Sequence, residues 1–411
     1  MFHTIIVGGG LAGLQVAEEL AKRGDQVLLL ERYPAFGGRA LTFRGDHGLQ
    51  YEIGAGRIFH THKRVAALVK RFHLHTFPIT TETIFQAEGH EPVANPFNAL
   101  FEPLRAQLAR LPKHVLATHT IAELVPSTFH PIFAAYPYWA EIHMLRADIA
   151  LPLFEPKETM GIESSSAYYG IIEGIDTLAT GLVSAAATAG AMLKNRHRVH
   201  DIQKGEDGLF VVHGDYGKKV EAKPFVYKSH RVVIATCRCS LSDFSVLKGM
   251  PLLKQVGTSA LMRIYAVFPK HPRTHKVWFA DLPKTITAGP LRYIIPIDAK
   301  KGLIMISYTD GKDTDIWRPL DDKTLKTAIM TEVHALFPDK KIPMPSYLAK
   351  HDWTSGCSYW LPGTYDVEKA SKEAHNPSPG VYVCGESISL HQTWMEGALE
   401  SAETLLSMLI E

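Results

Sequence analysis

The sequence predicts an α/β protein, with one mostly parallel sheet assembled from distant parts of the chain and a second, α+β unit interleaved with it. Three observations carry this. The first thirty-one residues read strand, glycine-rich turn, helix, strand. Val232-Val233-Ile234-Ala235-Thr236 is a wholly apolar run, as a central parallel strand requires. Between them and the C-terminus lies a block of alternating strands and one amphipathic helix, after which the chain returns to a short apolar strand, Val381 to Cys384.

The opening segment sets the frame. Thr4 to Val7 is a short β-branched strand. Gly8-Gly9-Gly10-Leu11-Ala12-Gly13 then supplies Gly-x-Gly-x-x-Gly, followed by a helix with Leu11, Leu14, Ala17, Leu20 and Ala21 on one face and Gly24 as its stop. Gln26 to Leu30 forms the second strand and ends in Glu31. In such a turn Gly8 makes the tight bend, Gly10 lets backbone approach a pyrophosphate, and Gly13 lets helix pack on strand. The helix N-terminus offers free N–H groups to the anion. Glu31 stands where a carboxylate accepts from a ribose 2′-hydroxyl, which argues against a 2′-phosphorylated cofactor. Strand before, helix after and acid at the right distance together identify a Rossmann-type dinucleotide site.

Composition narrows the class. The 411 residues suffice for two domains, with 46% hydrophobic and 21% charged residues, as in an ordinary globular protein. A net charge of +2 gives no reason to expect nucleic acid or an anionic membrane surface. The 21 histidines are scattered, without His-Glu-x-x-His or Cys-x-x-Cys spacing, so no metal is expected. Four cysteines, at 237, 239, 357 and 384, read as reduced, which points to a cytoplasmic compartment. The first strand begins almost at Met1 and leads us to expect no secretory leader. The longest uncharged run, Thr177 to Leu193, is too short and too weakly apolar for a membrane span.

Phe36-Gly37-Gly38-Arg39 follows Glu31-Arg32 after a short loop, adding backbone N–H groups and a guanidinium near the same pyrophosphate. Glu-Arg followed by Gly-Gly-Arg resembles the flavin-dependent amine oxidase superfamily, which includes monoamine, polyamine and L-amino-acid oxidases. The resemblance implies FAD and a Rossmann-type, GR2-like FAD-binding domain. It implies cofactor roles for Gly8, Gly10, Leu11, Ala12, Gly13, Glu31, Arg32, Gly38 and Arg39. Further along, Gly54-Ala55-Gly56-Arg57 is similar to the family segment that lies against the flavin ring. In the L-amino-acid oxidase branch an arginine in such a segment grips the substrate carboxylate, and guanidinium pairs with carboxylate as a two-point fork. Alternatives for Arg57 are an FAD phosphate or a plain salt bridge.

From His60 to about Met160 helices are expected over Arg64–Phe72, Phe101–Leu111 and Trp139–Ala150, with no strand and helix alternation and no chemical motif. Tyr136, Tyr138 and Trp139 form an aromatic cluster of the kind that is usually core. Gly174 to Leu178 resembles the family's return to the cofactor domain, and Val199, in the strand Arg198 to Ile202, matches the family valine that meets the adenine. Strands are then expected over Leu209–His213, Arg231–Thr236, Ala260–Phe268, Lys276–Ala280, Leu291–Ile297 and Gly302–Thr309, with a helix over Asp321–Leu336. On the strand Ala260–Phe268 the family usually carries a lysine that holds a water near flavin N5. The matching residue here is Arg263, and arginine stays charged where a buried lysine can lose its proton. This substitution puts fast reoxidation by O2 in question.

The stretch from His351 to Tyr365 resembles the family's Trp…Gly-x-Tyr segment, and Ser355-Gly356-Cys357-Ser358 is similar to the sequence that attaches flavin covalently in some monoamine oxidases. Gly385-Glu386, then Trp394-Met395-Glu396-Gly397-Ala398, resembles the family's closing signature. This helix start would face the flavin and stabilise its reduced, anionic form. Gly385, Glu386, Trp394, Met395 and Ala398 are its cofactor residues. Trp394 matches one wall of the family's aromatic cage, and Trp360, Tyr359 or Tyr365 supplies the other.

These matches lead us to expect an FAD-binding domain built from residues 1–60, 165–259 and 345–411, and a substrate-binding domain from 61–164 and 260–344. The implied activity is oxidation of a C–N bond in an amine or L-amino acid. A hydride passes to flavin N5, and O2 accepts the electrons to give H2O2. Arg263, Trp394, Trp360 and Arg57 are its catalytic candidates. The expected partners are a small-molecule substrate and O2, in a monomer or homodimer. Two rival readings are an FAD-dependent desaturase of a hydrophobic substrate and a non-catalytic FAD-binding protein.

Overall fold

The computed structural model describes residues 1–154, 167–218 and 221–410. The opening unit forms as expected, with a strand Phe2–Val7, a helix Leu11–Lys22 and a strand Val27–Leu30. Both strands are apolar throughout because both faces of the sheet are covered. Ile5, Leu28 and Val232 enter one core cluster, while their neighbours Ile6, Leu29 and Val233 enter the other. The sheet has seven strands, in the order Met192–Lys194, Val27–Leu30, Phe2–Val7, Lys223–Ile234, Phe210–Tyr216, His197–Lys204, with Val381–Val383 also on Lys223–Ile234.

The strand Lys223–Ile234 joins two regimes. Its first half pairs antiparallel with Phe210–Tyr216. Its apolar second half lies parallel between Phe2–Val7 and Val381–Val383. On one face the helices Leu11–Lys22, Asp176–Thr188 and Met395–Ile410 pack together. The closing helix runs well past the expected Ser401.

A second seven-stranded sheet has the order Tyr347–Trp360, Val256–Val267, Leu303–Asp310, Tyr293–Asp298, Lys284–Thr287, Thr83–Gln86, Val93–Ala94. The helix Asp322–Leu336, capped by the Asp321 side chain, covers one face, and Met262, Ile264 and Ala266 pack towards it. Period-two alternation therefore turns Leu261, Arg263 and Tyr265 to the opposite face. Tyr51, Tyr293, Tyr308 and Ile286 gather there with Tyr265.

Several expectations need correction. Lys276–Ala280 is a series of turns, not a strand. Val277 and Phe279 are buried as plugs against the second core, without a ladder partner. The strands Thr76–Ile79, Thr83–Gln86 and Val93–Ala94 occur where none was expected. Trp139–Ala150 is two short helices, Trp139–His143 and Ala147–Ala150, broken at Arg146, whose backbone is extended (φ −61°, ψ 140°) and whose guanidinium is held by Asp148. The strand Tyr347–Trp360 belongs to the second sheet, and the chain rejoins the first only at Val381. The expected boundary between 164 and 165 lies outside the described residues.

Candidate active site

A cavity of about 2000 Å³ runs from the glycine-rich turn to a side chamber against the second sheet. At its first end the glycines divide their work. Gly8 has φ +111°, and a Cβ there would stand 2.4 Å from the Ala235 carbonyl oxygen. A Cβ on Gly13 would stand 2.1 Å from the Gly8 carbonyl oxygen, so helix and strand touch at this point. A Cβ on Gly10 would meet nothing within 4 Å, because Gly10 faces the cavity. The Glu31 carboxylate is held by the backbone N–H groups of Gly9 and Tyr33, both at 2.8 Å, and burial raises its pKa.

The middle of the cavity is closed by contacts across the whole chain. A Cβ on Gly54 would lie 1.9 Å from the Arg39 carbonyl oxygen, and Ala55 donates its N–H to that oxygen at 2.8 Å. The Arg39 guanidinium donates to the Gly356 carbonyl at 2.8 Å and to Glu386 at 2.9 Å. Glu386 in turn accepts from the Ser358 backbone and hydroxyl. Cys237 and Cys239, with Sγ atoms 2.8 Å apart, line the wall here. Their hydrogen bond holds the Cys237 thiol below its ordinary range. Cys357 also lines the wall, and burial pushes its thiol up to about 12.

The side chamber is aromatic and cationic. Arg57 donates to the Tyr138 hydroxyl at 2.8 Å, and its guanidinium carbon lies 5.2 Å from the Tyr168 ring centroid and 5.9 Å from that of Trp394. Those two rings are nearly parallel, with centroids 6.3 Å apart. Trp394 is braced edge-on by His62, whose imidazole burial pushes down to about 4 and so keeps neutral. Arg263 donates to the Glu52 carbonyl at 2.9 Å and lies over the Tyr308 ring at 5.2 Å, with its Nε left without a hydrogen-bond partner among the described residues. Tyr136, Tyr293, Tyr359 and Lys284 complete the walls.

Of the cofactor residues and the four catalytic candidates expected from sequence, all but Gly13 and Trp360 line this one cavity. Gly13 is a packing residue, as its turn position requires. Trp360 is a correction. It is fully buried, with its indole N–H given to the Ser389 carbonyl, and does not reach the chamber. Tyr359, one residue away on the same strand, does. Tyr365 is turned aside, its hydroxyl on the carbonyls of Gln255 and Leu361. Sequence reasoning missed Tyr168, Tyr293, Tyr308 and Lys284, which come from four separate strands and carry no motif.

A model of the family "Flavin containing amine oxidoreductase" matches residues 11–168 and 145–404. The chain belongs to that family. FAD is thus its cofactor, and the cavity fits one: a Cβ-free opening at Gly10, the Glu31 carboxylate beside it, and a long cleft ending at the first turn of the closing helix. Among curated relatives of this family member, flavin-containing amine oxidase A of Bos taurus is 30% identical over 27% of the chain, a segment that spans 21% of the bovine protein. An L-amino-acid oxidase of Siganus canaliculatus is 21% identical over 97% of the chain and 84% of its own length. Among solved structures, wild-type putrescine oxidase bound to putrescine superimposes with a TM-score of 0.75 at 16% identity, covering 100% of this chain and 99% of that one. Cyclohexylamine oxidase from Brevibacterium oxydans gives 0.74 at 17%, covering 100% of both. These likenesses carry the fold. No helix among the described residues is long and apolar enough to cross a membrane.

Proposed function

We propose that this flavoprotein oxidises the C–N bond of an amine that also carries a carboxylate, an L-amino acid, with O2 as electron acceptor and H2O2 as product. One observation carries the reading. Arg57 projects into a chamber of aromatic rings with a tyrosine hydroxyl as its hydrogen-bond partner, and among the described residues no carboxylate is within ion-pair reach of it. A guanidinium kept in so dry a place without a counter-ion gains most from an incoming anion.

FAD, when bound, would supply the acceptor for the hydride of the substrate Cα–H, which carries both electrons of the oxidation. The chain's own residues then bind and orient. Arg57 fixes the carboxylate through its fork, and Trp394 and Tyr168 flank the position of the amine and exclude water. Arg263, fully ionised beside Tyr308, holds the positive potential that opposes build-up of charge on the amine and favours its neutral form. Hydride loss from a neutral amine needs no general base.

The test is anaerobic mixing with a panel of amino acids and their decarboxylated amines, followed by flavin bleaching, with peroxide assayed in air. Arg57→Ala is expected to lower kcat/KM for the amino acid by about 10²-fold, the loss of a charge-assisted pair, while leaving the amine nearly unaffected. Equal losses for both discard the carboxylate role. Bleaching by no amine or amino acid discards the amine oxidase reading for the desaturase or non-catalytic one.

A further inference from the structure

Lys284 opens the strand Lys284–Thr287 of the second sheet, where it pairs with Thr83. Alternation puts its side chain on the same face as Ile286, towards the tyrosine cluster. It is 6% exposed, and it lines the same cavity as Arg57. Among the described residues its ammonium has no hydrogen-bond or ion-pair partner, an unusual state for so deeply placed a lysine. The strand surroundings give no structural reason for it. The neighbouring hydroxyls of Thr83 and Tyr293 face each other, and Thr83 also donates to the Thr81 carbonyl.

The acids of the chamber do not serve Lys284. Glu141 takes the Tyr136 hydroxyl, and Asp310 takes the backbone N–H groups of Trp139 and Ala140. Glu82 lies at the exposed rim. The chamber thus presents three cations, Arg57, Arg263 and Lys284, none of them ion-paired to a carboxylate among the described residues, and the charge of Arg57 disfavours that of Lys284. A chamber built for a diamine would need the reverse arrangement, unpaired carboxylates facing inward. Unneutralised cations on more than one wall of a low-dielectric pocket favour a ligand that brings more than one negative charge, and Lys284 is the one of the three whose side chain has no hydrogen-bond partner among the described residues.

We propose that Lys284 is a specificity-determining residue that binds a second anionic group, so that the substrate is an L-amino acid with an acidic side chain. The inference rests on the carboxylate role given to Arg57 and adds the side-chain site. One substrate carboxylate lies on Arg57 and the other on Lys284, with the amine between them beside Trp394.

The test uses the FAD-loaded enzyme with L-glutamate against L-glutamine and L-aspartate against L-asparagine, which share shape and amine chemistry and differ in charge. Wild type is expected to favour the acidic member of at least one pair by about 10- to 100-fold in kcat/KM, the range of one charge-assisted contact. Lys284→Met is expected to erase that preference through KM, with kcat for the neutral member retained, and Lys284→Arg to keep most of it. Glutarate, which has no amine to oxidise, is expected to perturb the flavin absorbance of wild type and to bind at least tenfold more weakly to the Met variant. Flavin content checks that each variant is folded. If Lys284→Met loses flavin, the wild-type ratio and the Arg variant decide.

A preference that survives Lys284→Met, or wild type that oxidises amino acids without favouring acidic ones, overturns the role of Lys284 and leaves that of Arg57 standing. Amines oxidised better than every amino acid overturn both.

Discussion

Arg39 and Glu386 meet at 2.9 Å although they stand 347 positions apart in the chain. The contact ties the loop after Glu31 to the turn ahead of the closing helix, and Glu386 extends it to the strand Tyr347–Trp360 through Ser358. Three separated segments are thereby fixed around the middle of the cleft.

Removing one partner of such a pair leaves the other charged and unmet. Glu386→Ala is expected to cost about 1–3 kcal/mol in urea unfolding, the penalty for taking the partner from a half-buried guanidinium that keeps its bond to the Gly356 carbonyl. FAD affinity should fall with it, because Arg39 is freed from its fixed direction. Glu386→Gln keeps an acceptor for Ser358 and should lose less. If both variants unfold at the wild-type urea midpoint, the contact carries no stability.

The glycines make a sharper pair of predictions, because two residues of one turn should fail differently. Gly13→Ala drives a methyl into the Gly8 carbonyl. It should destabilise the protein by about 1–3 kcal/mol, the cost of overpacking a tight contact. Gly10→Val adds a side chain in open space, so the apoprotein should melt close to wild type while flavin content falls to a small fraction. Thermal unfolding of apoprotein together with absorbance per mole of protein separates the two. Normal flavin content in Gly10→Val would remove that residue from the cofactor path.

The legible parts of this fold were those whose signal is local. The turn from Gly8 to Gly13 needs its glycines for contacts made within a few residues or with the adjacent strand, so its sequence states its geometry. The signature Trp394 to Ala398 is equally compact. Trp360 illustrates where such reading stops. Tyr359 and Trp360 are neighbours on a strand, a strand sends neighbours to opposite faces, and nothing within the segment says which parity the sheet imposes. Lys284 and Tyr293 are hidden for a related reason. They reach the chamber because Lys284–Thr287 lies between Thr83–Gln86 and Tyr293–Asp298, an order set by pairing across two hundred residues. Lys276–Ala280 carries a strand's pattern without being one, because Val277 and Phe279 alternate like strand residues but plug a core without entering a ladder among the described residues.

Burial, and to a smaller extent the charge of Arg57, push the Lys284 ammonium down from 10.5 to about 7. The group is charged below that value and neutral above it, so its attraction for an anion is complete in mild acid and fades as pH rises through 7. kcat/KM reports the free enzyme, but the substrate amine titrates too and would mask the effect for any single substrate. The ratio for L-glutamate over L-glutamine cancels the amine. That ratio should be flat between about pH 5.5 and 6, above the titration of the glutamate side chain, and fall above pH 7 by about tenfold per unit until the preference is spent, the slope of one proton. Arg57 and Arg263 stay charged throughout, and burial holds the Tyr293 phenol above its ordinary range, so neither contributes near neutrality. Burial pushes two carboxyl groups up to about 7, Asp310 on the chamber wall and Glu52 beside Arg263, and both titrate alongside Lys284. Their contribution would survive in Lys284→Met, whereas that of Lys284 would vanish. A ratio that falls equally in wild type and in the Met variant therefore assigns the pH dependence to these acids and takes it away from Lys284.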